Sequence, residues 1–199
     1  MPRYFIIYKP YQVLSQFSSM PSEHNEHVKQ TLKDFFKVPD DVYPVGRLDY
    51  DSEGLLILTN DAYINHRLLN PSFAHEREYW VQVEGVITIA ALEALQSGID
   101  ITIDGKPYRS KKAMVKAFDV YPEVPERNPP VRFRKNIPTS WIRLVITEGK
   151  NRQVRKMTAK VGFPTLRLIR YRIGQLTIEG LKPGSIKELT RDEIFTLLF

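Results

Sequence analysis

Apolar residues recur along this chain in three patterns, and each predicts a different kind of element. Tyr4-Phe5-Ile6-Ile7-Tyr8 is a continuous apolar run stopped by Lys9-Pro10, as expected of a first strand. Leu55-Leu56-Ile57-Leu58-Thr59 is a second continuous run, bounded by Gly54 and of a length that suits a buried strand. Between them Val28, Leu32, Phe35 and Phe36 fall at i, i+4, i+7 and i+8, which predicts a helix over 22–37 ended by Pro39. Asn60 is placed to cap a helix from Asp61 to about Leu69, with Ile64 and Leu68 inward and Pro71 as the stop. The third pattern is alternation: Tyr79, Val81 and Val83 share one face of a half-buried strand.

Thr88 can cap a helix that stops at Gly98, and Ile101-Thr102-Ile103 leads through Asp104-Gly105 into a hairpin. From Tyr121 to Pro138 five prolines and no periodicity predict an irregular excursion, whose Arg127, Arg132 and Arg134 point to a surface against a ligand. Trp141 to Glu148 alternates again. Gly149-Lys150-Asn151 then turns the chain into a helix over 152–161, ended by Gly162 and Pro164. Val154, Met157 and Val161 share one sector of it, and Arg152, Arg155, Lys156 and Lys160 lie opposite. Strands near 166–169 and 176–178 precede a last helix, opened by a Thr190/Glu193 capping box with Leu189 and Ile194 as its hydrophobic staple. Strands and helices mix without regular alternation, so the expected class is α+β with a largely antiparallel sheet.

Composition narrows the function. A chain of 199 residues buries one core or two small lobes, and 42% hydrophobic with 26% charged residues describes a folded protein. No apolar stretch approaches the ~18 residues of a membrane span, and the N-terminus lacks a signal-peptide pattern, so a cytoplasmic location is expected. The absence of cysteine excludes disulfides, thiolate nucleophiles and cysteine-ligated zinc. Net charge is +6, yet 127–172 alone carries thirteen Lys and Arg against one acid, Glu148. That stretch holds +12 in 46 residues and leaves the rest of the chain at −6, which reads as the footprint of nucleic-acid binding, with a solvated face as the plainer alternative.

Candidate chemistry begins at Gly46-Arg47-Leu48-Asp49-Tyr50-Asp51-Ser52-Glu53-Gly54, an acidic loop that runs straight into the second apolar run. Three readings of Asp49 stand side by side. It could cap backbone amides in a turn, as most loop aspartates do. It could belong to a calcium loop, but the twelfth position is Asn60 and a strand follows where a helix should. Or it could be a fixed, ionised nucleophile beside Arg47 or another guanidinium. Two further segments add cations and an aromatic. Glu148-Gly149-Lys150-Asn151-Arg152-Gln153-Val154-Arg155-Lys156 puts a basic cluster at a helix N-terminus, where anions are attracted. Arg77-Glu78-Tyr79 sets a ring beside a cation at a strand start, although Tyr79 also suits a core position. His24 and His27 have metal-ligand spacing without further partners, and are read as an exposed helix start.

In that order the Asp49 loop, Tyr79 and the 148–155 segment resemble the three motifs of the pseudouridine synthases, in the branch acting on ribosomal RNA. The likeness runs from about Tyr4 to Thr190. The segments 127–130, 137–141 and 161–171 look most like members acting on the large subunit. The resemblance implies the pseudouridine-synthase fold: a single catalytic domain over 1–199, with a smaller lobe of about 1–65, a larger one of 66–199 and a central cleft. It implies cofactor-free isomerisation of uridine to pseudouridine by a monomer, with large-subunit ribosomal RNA as partner. By motif position Asp49 is the essential carboxylate, Arg155 pairs with it and holds it ionised, and Tyr79 packs on the target base. Arg47, Arg77, Lys150, Asn151, Arg152, Lys156 and Arg170 are expected to contact the RNA. Arg77 stands where the family usually has lysine, and no N-terminal RNA-binding domain of the S4 type is expected, since the likeness starts at Tyr4. A non-catalytic RNA-binding assembly factor is the rival reading.

Overall fold

The computed structural model of the protein describes residues 1–18, 29–132 and 134–199. In chain order the elements are β1 (Tyr4–Lys9), β2 (Tyr43–Pro44), β3 (Glu53–Thr59), α1 (Ala62–Leu69), β4 (Arg77–Glu84), α2 (Ile89–Ser97), β5 (Asp100–Ile103) and β6 (Lys106–Arg109). There follow β7 (Met114–Ala117), β8 (Thr139–Ile146), α3 (Gln153–Lys160), β9 (Thr165–Ile173), β10 (Leu176–Thr177), β11 (Ile186–Leu189) and α4 (Arg191–Leu198). The class is α+β. Two compact units form, one of residues 1–73 with 171–199 and one of 74–170. The expected lobes divided the chain at about residue 65 and kept its C-terminus with the larger lobe. Here β11 pairs antiparallel with β1, Tyr4 opposite Leu189, and so 171–199 joins the first unit.

In that unit β1 also pairs antiparallel with β3, Ile7 opposite Leu56, and β2 adds to the far side of β3. Every residue of β1 and β3 is buried. Phe5, Ile7, Leu56 and Leu58 join Val13, Leu32, Phe36 and Val42 in one core, while Ile6, Tyr8, Leu55 and Ile57 are buried on the opposite face. Coverage of both faces explains why these strands read as continuous apolar runs. Such side chains contribute roughly 1.5–3 kcal/mol each on full burial. The helix expected over 22–37 is not found where the chain is described: only one 3₁₀ turn, Leu32–Asp34, is present. Leu14 N donates to Gln30 O and Leu32 N to Gln16 O, so these backbone groups are spent on a bridge. Residues 22–28, with Val28, His24 and His27, lie outside the described residues. The cap of α1 is Asp61, which accepts from Tyr63 N at 2.9 Å. Asn60, expected in that role, accepts from Arg3 N at 2.7 Å.

The second unit is built on β4, β8 and β7, paired antiparallel with Tyr79 opposite Leu144 and Leu144 opposite Val115. Tyr79, Val81, Val83, Ile142, Leu144 and Val115 are buried, as are Ala91 and Leu95 of α2. β5 and β6 make the expected hairpin, with Asp104 at φ 47° and Gly105 at φ 78° as its two turn residues. The excursion is irregular as expected, and arginines from within it and from β9 hold it. Arg127 donates to the carbonyls of Pro129 at 2.8 Å and Pro130 at 3.0 Å, and Arg167 donates to Pro125 O at 2.8 Å.

Candidate active site

Asp49 sits in the first unit, half-buried, at the first position of a turn closed by Ser52 N donating to Asp49 O at 3.0 Å. Entry to the loop is through Gly46 at φ 71°, where an added Cβ would meet Leu69 Cδ2 at 3.0 Å. Its exit is the buried Ser52-Glu53, and Gly54 already pairs with Lys9 in the β1–β3 ladder. Leu48 is buried and Arg47 exposed, so the loop presents alternate residues to core and solvent around Asp49. Ser15 and Gln12 fasten the residues on either side of it: Ser15 Oγ accepts from Leu48 N, and Gln12 N donates to Tyr50 O.

In the second unit β4 brings Arg77 and Tyr79 to the same face, two residues apart. Tyr79 is buried and Arg77 half-buried, with Arg77 donating to His75 O at 3.2 Å. The guanidinium of Arg170, on β9, is buried with them. Burial pushes its pKa below the usual arginine value; Tyr79, hydrogen-bonded to it, favours its charge and the neighbouring Arg77 opposes it. Tyr79, Arg77 and Arg170 are thus brought together, with the phenol beside a buried cation. The other face of β4 is separately anchored by Glu78, which accepts from Trp80 Nε1 at 2.9 Å and Arg143 at 2.8 Å.

The start of α3 is held by a buried acid. Glu148 accepts from the Tyr108 hydroxyl, from Lys111 N at 3.0 Å and from Gln153 Nε2. Gln153 Oε1 in turn accepts from Lys150 N at 3.0 Å, closing the turn before the helix. The hydrogen bond to Glu148 pushes the Tyr108 phenol up to about 12, with burial adding to the shift. Lys150 Nζ lies over the Tyr108 ring, 5.3 Å from its centroid, in a cation–π contact. Asn151 donates to Asp104 at 3.0 Å on the β5–β6 turn. Of the residues expected to meet RNA here, Asn151 and Lys150 therefore also brace the turn. Arg152 is exposed at φ 53°, while Arg155 and Lys156 are half-buried on α3.

Sequence reading missed Ser15, Gln12, Tyr108 and the scaffold role of Glu148. Ser15 and Leu48 are 33 residues apart and Tyr108 and Glu148 are 40 apart, so no local spacing links them. The one local sign was Lys9, directly at the end of the first apolar run: it is wholly buried, donating to Pro10 O at 2.9 Å and Val13 O at 2.7 Å.

Residues 3–160 match the family described as RNA pseudouridylate synthase. Ribosomal large subunit pseudouridine synthase E of Xanthomonas axonopodis pv. citri is 48% identical over 178 residues, covering 89% of each chain. The protein of the same name from Vibrio vulnificus is 46% identical over 185 residues, 93% of this chain and 74% of that one. A solved pseudouridylate synthase superposes with a TM-score of 0.78 at 26% identity, over 100% of this chain and 74% of the other. Matched in its motifs, over most of its length and in its fold, the chain belongs to the RNA pseudouridylate synthase family.

Proposed function

We propose that this protein converts a uridine of large-subunit ribosomal RNA to pseudouridine, as a cytoplasmic monomer without a cofactor. The observation that carries the reading is Asp49 on a closed, anchored turn at the head of β3, in a chain of this family. The names of its relatives support the choice of RNA. In the reaction the N1–C1′ bond breaks, the uracil turns over, and C5 bonds to C1′. N1 takes up a proton and C5 releases one to water. Asp49 serves as the acting carboxylate, at C1′ of the ribose or at C6 of the base. Tyr79 packs on the target base and takes part in proton transfer at the sugar. Arg155 is the guanidinium that the family's motif pairs with this carboxylate. The base must leave its stack, at a cost of a few kcal/mol, and phosphate contacts from Arg47, Arg152, Lys156 and their neighbours offset that cost.

Tritium release from [5-³H]uridine-labelled ribosomal RNA tests the choice of substrate. Large-subunit RNA, free or in immature subunits, is expected to lose one tritium per molecule of RNA. Release from small-subunit RNA alone would contradict the proposal. Tight binding of large-subunit RNA with no release from any substrate would favour a non-catalytic assembly factor.

A further inference from the structure

The backbone around Asp49 is fixed by bonds on each side of its Cα. The preceding peptide plane begins with Leu48 O, which accepts from Ser15 Oγ at 2.8 Å, while Leu48 N donates to that same oxygen at 3.0 Å. The following plane begins with Asp49 O, held by Ser52 N at 3.0 Å. One residue further on, Tyr50 O accepts from Gln12 N at 2.9 Å. Both soft dihedrals of Asp49 are thereby restrained, and only its side-chain rotamer is left to place the carboxylate.

The two restraints differ in origin. Ser52 belongs to the turn itself, whereas Ser15 and Gln12 belong to a separate segment that reaches across to the loop. That segment is rigid for its own reasons. The ammonium group of Lys9, buried in β1, donates to the carbonyls of Pro10 and Val13, and Val13 is packed in the core with Ile7 and Leu56. Gln12 takes a left-handed conformation at φ 58°, which turns its N–H toward Tyr50. Ser15 is only 6% exposed, so water does not readily replace its hydroxyl. A single oxygen, used as both donor and acceptor, satisfies the amide and the carbonyl of Leu48. Alanine at this position would leave two backbone groups of a buried residue without that partner.

Resting on the reading that Asp49 is the acting carboxylate, we infer that Ser15 is a positioning residue for the reaction: its hydroxyl, through Leu48, sets the direction of Asp49. It touches neither base nor phosphate in this role. Its loss should therefore appear in turnover and not in RNA binding.

The test compares Ser15→Ala, Ser15→Cys and Asp49→Asn in the full chain, with kcat and KM measured by tritium release and expressed per folded molecule. Ser15→Ala is expected to lower kcat by about 10- to 100-fold, the scale of a misplaced reacting group, with KM within about twofold of wild type. Cysteine keeps the size of serine but is a weaker donor and acceptor, so Ser15→Cys should fall between wild type and alanine. If Ser15→Ala does not fold, Ser15→Cys decides alone. Wild-type kcat in the folded Ser15 variants, with Asp49→Asn inactive, would overturn the positioning role and leave the role of Asp49 standing. A rise in KM with kcat retained would overturn it equally, since that would make Ser15 a binding residue. Full turnover by Asp49→Asn would instead defeat the reading on which the inference rests.

Discussion

At the scale of single residues, the segments that carry the candidate side chains are held by hydrogen bonds that cross long stretches of sequence. Glu148 shows how. Buried, it gathers the Tyr108 phenol, Lys111 N and Gln153 at the point where the chain enters α3. Tyr108→Phe removes one donor from this buried carboxylate and is expected to lower stability by about 1–3 kcal/mol, measurable by urea unfolding at neutral pH. The phenol is raised in the folded state to about 12 from an unfolded value of 10.0, so its contribution is complete below the unfolded value. As pH rises the unfolded chain ionises first, and that contribution is lost between about 10 and 12. Wild type should therefore lose stability more steeply than Tyr108→Phe across that window; equal slopes would contradict the assignment. Asp49, Tyr79 and Arg155 could be proposed from the sequence because their residue types recur in ordered motifs. Tyr108, Ser15 and Gln12 were not, because each acts through a partner that only the fold brings near.

At the scale of elements, legibility followed the strength of the local signal. β1 and β3 were evident because coverage of both faces demands unbroken apolar runs. α4 was evident because Thr190 and Glu193 cap one another, Thr190 N donating to Glu193 Oε2 at 2.7 Å. β7 and β11 were missed: Val115 is the single buried residue of the first and Leu189 of the second, so neither shows a period. The helix forecast over 22–37 failed in its described part because Gln30 O and Leu32 N bond to Leu14 and Gln16 and are not free to close helical turns. Gly98, by contrast, was read correctly as the stop of α2, and its geometry makes a prediction. It has φ 83°, and a Cβ there would lie 2.4 Å from Ser110 O. Gly98→Ala is expected to cost at least about 1–3 kcal/mol in thermal or chemical unfolding, and a variant as stable as wild type would show that this turn can move aside.

At the scale of the whole molecule, the charge patch is smaller than the sequence count implies. Of its thirteen cations, Arg127 and Arg167 hold backbone carbonyls of the excursion, Arg134 and Arg143 pair with Glu84 and Glu78, and Arg170 is buried beside Tyr79. Arg132, Lys135, Lys150, Arg152 and Lys160 are exposed. With one phosphate for each of these five, the logarithm of RNA affinity should fall with the logarithm of salt at a slope of roughly −3 to −4. Replacing both Arg132 and Lys135 with alanine should flatten the slope by about 1.4. An unchanged slope would place the RNA elsewhere. Among the described residues no helix is long and apolar enough to cross a membrane, and the fold is that of the pseudouridylate synthases. Asp49 is proposed to perform the isomerisation, and one measurement meets that role head-on. Tritium release from [5-³H]uridine-labelled large-subunit ribosomal RNA is compared for wild type and Asp49→Asn, with RNA affinity measured alongside. Release by wild type alone, at equal affinity, is the predicted result; release by Asp49→Asn at the wild-type rate would contradict it.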